Sequence, residues 1–105
     1  MAVEIMIKRK VTQGEHARVL TPLILRMRAL ATCQPGYISG ETLRNVDEPE
    51  ECLVVSKWDT IEHWQKWLNS KERKEIQKKI DDLTGGETEY KIYEPLVLWG
   101  SSRLC

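Results

Sequence analysis

The stretch Cys52-Leu53-Val54-Val55-Ser56-Lys57-Trp58-Asp59-Thr60-Ile61-Glu62-His63-Trp64-Gln65-Lys66-Trp67-Leu68-Asn69-Ser70 changes its periodicity halfway, and that change decides the fold. Cys52 to Trp58 holds a continuous apolar run after an acidic loop, the pattern of a buried strand. From Ile61 onward, Ile61, Trp64, Trp67 and Leu68 recur at helical spacing and define an amphipathic helix. Between the two, Asp59-Thr60-Ile61-Glu62 has the form of a capping box with Asp59 as N-cap. Asn69-Ser70 interrupts the helix, and Ser70 can cap a second segment whose Ile76, Ile80 and Leu83 form one stripe. Gly85-Gly86 stops that segment, as a left-handed cap does.

Working upstream, Asp47-Glu48-Pro49-Glu50-Glu51 is a hairpin loop that pairs the 52–58 strand with a preceding strand, Tyr37 to Val46. Pro35-Gly36 is turn chemistry. Residues 15–32 carry Ala17, Leu20, Ile24, Met27 and Ala31 at helical spacing, and Pro22 is expected to kink this helix or open a fresh turn. Val3, Ile5 and Ile7 alternate with Glu4 and Lys8, a strand over residues 3–11. Downstream, Tyr90 to Leu98 is the last strand, with Pro95 marking an edge or bulge. The order β-α-β-β-α-β predicts an α+β fold of ferredoxin-like type: a four-stranded antiparallel sheet with its helices on one face. Strands three and four are apolar on both faces, Leu53 and Val55 opposite Val54, and Leu96 and Leu98 opposite Val97. Helices cover one face only, so the other needs a partner, most economically a second copy in a homodimer.

The 105 residues form a single domain, with a core over about 3–97 and a tail over 98–105. Sixteen Lys plus Arg balance sixteen Asp plus Glu, which lacks the basic excess of a nucleic-acid binder. No apolar run is long enough to cross a membrane and no signal-peptide pattern opens the chain, so a cytoplasmic location is expected. Cys33, Cys52 and Cys105 lie far apart without a CxxC pair; Cys33 and Cys52 read as reduced, buried apolar thiols. His16 and His63 have no carboxylates at ligand spacing, so no metal is expected. Lys71, Arg73, Lys74, Lys78 and Lys79 alternate with acids and read as a solvated face.

The chain has four Trp and no Phe, and Trp58, Trp64 and Trp67 fall within ten residues. Trp58 reads as structural. Trp64 reads as core or as a substrate-binding wall. Trp99, in the run Leu96-Val97-Leu98-Trp99, reads as a dimer contact. Ser39-Gly40 marks a bulge or a close approach of a ligand, Arg44 either holds an anionic substrate or is a solvated edge charge, and His16 is surface-like.

The run PGYISGETLRN at 35–45, the acidic hairpin, the strand ending in Trp58, and W-D-T-x-E-x-W-x-x-W-x-x-S followed by Ser70-x-x-Arg73 together resemble the antibiotic biosynthesis monooxygenase (ABM) family over residues 3–97. That resemblance implies a dimeric α+β barrel and, for some members, oxygenation of electron-rich phenols without metal or flavin. Haem-degrading members carry a first-strand Asn, a Trp on the second helix region and a His ten residues later. Trp67 matches the Trp, but Lys8-Arg9-Lys10 and Gln77 stand at the other two positions, so haem degradation is not expected. Phenol-oxygenating members have an Asn one helical turn before the same Trp; His63 occupies that place. The resemblance therefore implies a cofactor-independent monooxygenase acting on a small or polycyclic phenol or quinol. His63 and Trp67 are the expected catalytic residues, and Trp64 and Arg44 the expected substrate-binding ones. The alternative is a non-catalytic dimeric barrel that binds a small hydrophobic ligand.

Overall fold

The computed structural model describes residues 2–10, 15–86 and 88–96. Its elements are β1 (Val3–Lys10), α1 (Glu15–Thr32), β2 (Tyr37–Arg44), β3 (Glu51–Trp58), α2 (Ile61–Leu68), α3 (Lys71–Thr84) and β4 (Thr88–Tyr93). The sheet is antiparallel with strand order β2-β3-β1-β4, the ferredoxin-like arrangement expected from the element order. Cross-strand register sorts the faces. Val3, Ile5, Ile7 and Arg9 of β1 stand opposite Trp58, Ser56, Val54 and Cys52 of β3, and Ile5, Ile7 and Arg9 oppose Ile92, Tyr90 and Thr88 of β4. This is the inner face, against the helices. Leu20 and Met27 of α1, Trp64 and Trp67 of α2, and Ile76 and Ile80 of α3 close the core over it.

Local chemistry sets the boundaries, and several differ from expectation. The N-cap of α2 is Thr60, whose hydroxyl accepts from His63 N–H at 3.1 Å; Asp59 is instead taken by the His63 ring. Ser70 caps α3 as expected, accepting from Arg73 N–H, and Gly85 ends it with φ +84°. α1 runs unbroken with Pro22 inside it, an exposed position where one missing N–H costs little packing. β2 stops at Arg44 because the Asn45 side chain captures the N–H groups of Asp47 and Glu48, turning the chain and leaving Val46 in solvent. β4 ends at Tyr93; Leu96 lies beyond it and is 80% exposed. The readings of Val97, Leu98, Trp99 and Cys105 fall outside the described residues, as does the side chain of His16. Cys33 is exposed and Cys52 half-buried, so neither is the fully buried thiol expected.

The expected irregularity at Ser39-Gly40 is a bulge: the β2–β3 register shifts between Tyr37 and Ser39. Its consequence is geometric. Tyr37 and Gly40, three residues apart, both face inward, which an unbroken strand forbids. The Tyr37 hydroxyl then lies so close to Gly40 that a Cβ there would sit 2.5 Å from it. The outer face of the sheet carries Met6, Leu43, Leu53, Val55 and Tyr93 in register with charged neighbours, so the two-faced character of β3 is present in the fold.

Candidate functional site

Between α1, α2, α3 and the inner face of the sheet lies a narrow cavity of about 40 Å³. That volume holds roughly three water molecules and is well under the ~300 Å³ of a site for a drug-sized ligand. The β1–β3 strands supply Ile7, Arg9, Val54, Ser56 and Trp58; the helices supply Met27, Trp64, Trp67 and Arg73. Three of the four tryptophans thus converge here. Tyr37 and Trp58 meet edge to face at 5.4 Å between centroids, Trp58 and Trp64 at 5.8 Å, and Trp64 approaches Tyr90 at 6.3 Å. The Trp58 indole N–H donates to Ser56 Oγ at 3.1 Å, so its polar atom is satisfied inside the core.

Two charged side chains share this apolar space. Arg9 and Arg73 are each 2% exposed, and among the described residues neither forms an ion pair. Arg9 Nη2 donates to Gln77 Oε1 at 3.0 Å and touches Met27 Sδ at 3.4 Å. Arg73 Nη2 donates to the Tyr90 hydroxyl at 3.0 Å, and its guanidinium lies 5.5 Å from the Trp64 ring centroid and 5.2 Å from that of Tyr90. The Tyr90 hydroxyl donates in turn to Gln77 Oε1 at 3.2 Å, and Gln77 Nε2 donates to Asp81 and Thr88. Gln77 therefore joins both arginines into one network and separates them from the Asp81 carboxylate. Among the described residues the Nε–H groups of both arginines have no acceptor. Burial, with the Arg73 charge as a further cause, lowers the affinity of Arg9 for its proton. At the cavity edge, exposed Arg28 donates to Thr42 Oγ1 and to the Gly40 carbonyl, both at 3.2 Å. Glu41 also contributes to the lining, but its register partner is Val55, on the outer face.

Of the four expected site residues, Trp64 and Trp67 line the cavity and His63 and Arg44 do not. His63 lies on the first turn of α2, with its side chain 39% exposed. Its Nδ1 is 2.6 Å from Asp59 Oδ1 and 3.2 Å from Thr60 Oγ1. Its Cβ packs under Gly36, where an added Cβ would be 2.6 Å away. The helical spacing aligns it with Trp67, but the cap residues and the Gly36 turn draw its ring away from the interior. Arg44, at the far end of β2, lines a separate groove with Leu25, Leu43 and Cys52. Arg73 is not on the solvated face where its charged neighbours place it.

Arg9 and Arg73 are the polar residues that sequence reasoning missed, and both carried a signal. Arg9 continues the two-residue period of Val3, Ile5 and Ile7, and Arg73 sits one turn before Ile76 on the stripe of α3. Among the described residues no cluster of His, Cys, Asp and Glu could hold a metal ion, and no helix is long and apolar enough to cross a membrane.

The antibiotic biosynthesis monooxygenase family model matches residues 2–79. The chain belongs to that family. Protein SchA of Streptomyces halstedii is 25% identical over 84 residues, which cover 80% of this chain; the chain spans 22% of the length of that curated relative. Among solved structures, SnoaB, a cofactor-independent oxygenase from Streptomyces nogalater, aligns with a TM-score of 0.77 at 16% identity, covering 95% of this chain and 98% of that one. A conserved protein from Methanosarcina mazei Go1 gives 0.79 at 20% identity over 89% and 91% of the two chains. Rv0793 from Mycobacterium tuberculosis gives 0.79 at 12% identity over 95% and 100%. At these identities the structural likeness establishes the fold of this ABM-family chain.

Proposed function

We propose that this ABM-family chain is a cofactor-independent monooxygenase acting on a phenol or quinol held in the Trp58–Trp64–Trp67 cavity. The observation that carries the reading is an aromatic-walled cavity holding two buried guanidiniums that form no ion pair among the described residues, in a chain of this family. The expected chemistry converts an aromatic C–H into a carbonyl: phenol plus O₂ gives quinone plus water, with one oxygen atom in each product and all four electrons from the ring. The electron donor is the phenolate, and an environment of fixed positive charge favours that anion over the neutral phenol. Trp64 and Trp67 supply flat walls for the ring. His63 does not line the cavity, so the role of base expected for it passes to electrostatic lowering of the phenol's own pKa. At about 40 Å³ the cavity is smaller than the ~150 Å³ that encloses a benzene ring, so even a single ring requires the exposed Arg28 edge to open, and fused rings more so.

The functional unit is proposed to be a homodimer, with a second copy covering Met6, Leu43, Leu53 and Val55, in a cytoplasmic, reducing setting for Cys33 and Cys52. A non-catalytic barrel binding a small ligand is the second reading, favoured by one observation: no His among the described residues lines the cavity. Oxygen uptake separates the two. Consumption of O₂ with a monocyclic quinol, abolished in Trp67→Ala that still folds, supports catalysis; ligand binding with no uptake across a quinol panel supports the barrel alone.

A further inference from the structure

A buried guanidinium is stable when its charge is paired and its five N–H donors are satisfied. Among the described residues Arg9 and Arg73 meet neither condition. Each uses Nη2 on a neutral oxygen, each leaves Nε–H without an acceptor, and each lines the same cavity. Gln77 Oε1 accepts from Arg9 Nη2, the Tyr90 hydroxyl accepts from Arg73 Nη2 and donates to the same Gln77 oxygen, and the ring faces of Trp64 and Tyr90 hold Arg73 from the sides. Two anchored cations with unused donors, walled by tryptophan, lack one component: an anion.

We propose that Arg9 and Arg73 together form an anion site, and that the ligand of this cavity is a single flat aromatic ring whose anionic oxygen accepts from the two free Nε–H groups. Phenolate and aryl carboxylate share that chemistry. The site selects the charged form of the ligand and rejects its neutral isostere, because a neutral ring leaves both guanidiniums unpaired. This rests on the cavity being the ligand site, but anion binding needs no turnover.

The experiment is equilibrium binding to the full chain with four probes: 4-nitrophenol, benzoate, and the neutral controls nitrobenzene and benzamide. The visible absorbance of 4-nitrophenolate reports ionisation of the bound probe directly. Bound 4-nitrophenol is expected to ionise about 1–3 pH units below the free compound. Arg73→Gln and Arg9→Met should each weaken anion binding by about 10- to 100-fold, the range for one charge-assisted hydrogen bond, while the neutral controls change by less than about threefold. Arg9→Lys, which keeps the charge, should fall between wild type and Arg9→Met. Tight binding of benzoate as well as 4-nitrophenolate assigns the site to carboxylates and phenolates alike; 4-nitrophenolate alone assigns it to phenolates. Equal affinity for anions and neutral controls, or anion binding unaffected in both folded variants, overturns the proposal. Anion binding without oxygen uptake keeps the anion site and removes the oxygenase; uptake with no anion preference does the reverse.

Discussion

Replacing Arg9 by Met should make the ligand-free protein more stable. Arg9 is buried, lining the cavity with Ile7 and Met27, and its guanidinium has one good hydrogen bond, to Gln77 Oε1, and one weak contact with Met27 Sδ among the described residues. Losing the bond to Gln77 costs about 1.5–3 kcal/mol, the range for a charged donor. Gln77 Oε1 is not orphaned, because the Tyr90 hydroxyl still donates to it at 3.2 Å. Against that loss stand the desolvation of an unpaired cation, several kcal/mol in effective terms, and an unsatisfied Nε–H. Exchanging buried ionic groups for apolar side chains of similar volume stabilises by about 1–4 kcal/mol where the charge is poorly compensated. A net gain of about 1–3 kcal/mol follows, which raises the Tm of a domain this size by roughly 5–15 °C. Thermal unfolding by circular dichroism at neutral pH, with no aromatic anion present, measures it. An unchanged or lowered Tm would refute the reasoning, because Arg9 would then be a structural residue rather than one held ready for a ligand.

Other expectations are as direct. Trp67→Ala removes a buried indole from the core and should cost about 3–5 kcal/mol, read as a fall in the urea midpoint at unchanged slope. Gly36→Ala forces a side chain into a φ of +87° and against His63 and Asp59, and a loss of about 1–3 kcal/mol is expected; a Tm within 2 °C of wild type, on the scale of about 4 °C or more per kcal/mol, would show that the turn relaxes freely. The His63 hydrogen bond holds the Asp59 carboxyl below its ordinary 3.8, so its stabilisation is present above that pH and lost as pH falls through the lowered value. Asp59→Asn should therefore flatten the acid limb of a Tm–pH profile and leave the neutral limb's shape alone. Leu53→Lys on the outer sheet face should convert a species of twice 12.2 kDa to one of 12.2 kDa in sedimentation at micromolar concentration; a monomeric wild type removes the dimer.

Element order, the break at Asn69-Ser70, both caps of α3 and the inward tryptophans were legible because each depends on residues a few positions apart. The misread boundaries are places where a side chain reached beyond its own pattern. Asp59 has the composition of a cap, but the His63 ring four residues on takes its carboxylate, and Thr60 caps in its place. Val46 extends the alternation of β2, yet Asn45 folds onto the following N–H groups and ends it. The candidate site was half legible. Trp64 and Trp67 follow from helical spacing, while His63 shares that spacing and is held outside by neighbours from the Gly36 turn. Arg9 and Arg73 lie in phase with the buried positions of β1 and α3, but charge normally overrides phase in a reading of exposure. Their burial depends on Gln77 and Tyr90, which only the folded sheet brings to them.

Oxygen uptake by the chelator-treated protein, supplied with a monocyclic quinol near its ionisation midpoint, bears most directly on the proposed activity. Wild type is expected to consume O₂ and yield hydroxyquinone and water, one of each per O₂, with no hydrogen peroxide. Arg73→Gln should turn over at least about tenfold more slowly, as loss of one preorganised cation from the developing anion requires. Folded wild-type protein that leaves O₂ untouched across a panel of monocyclic quinols, or uptake that Arg73→Gln does not alter, would contradict it.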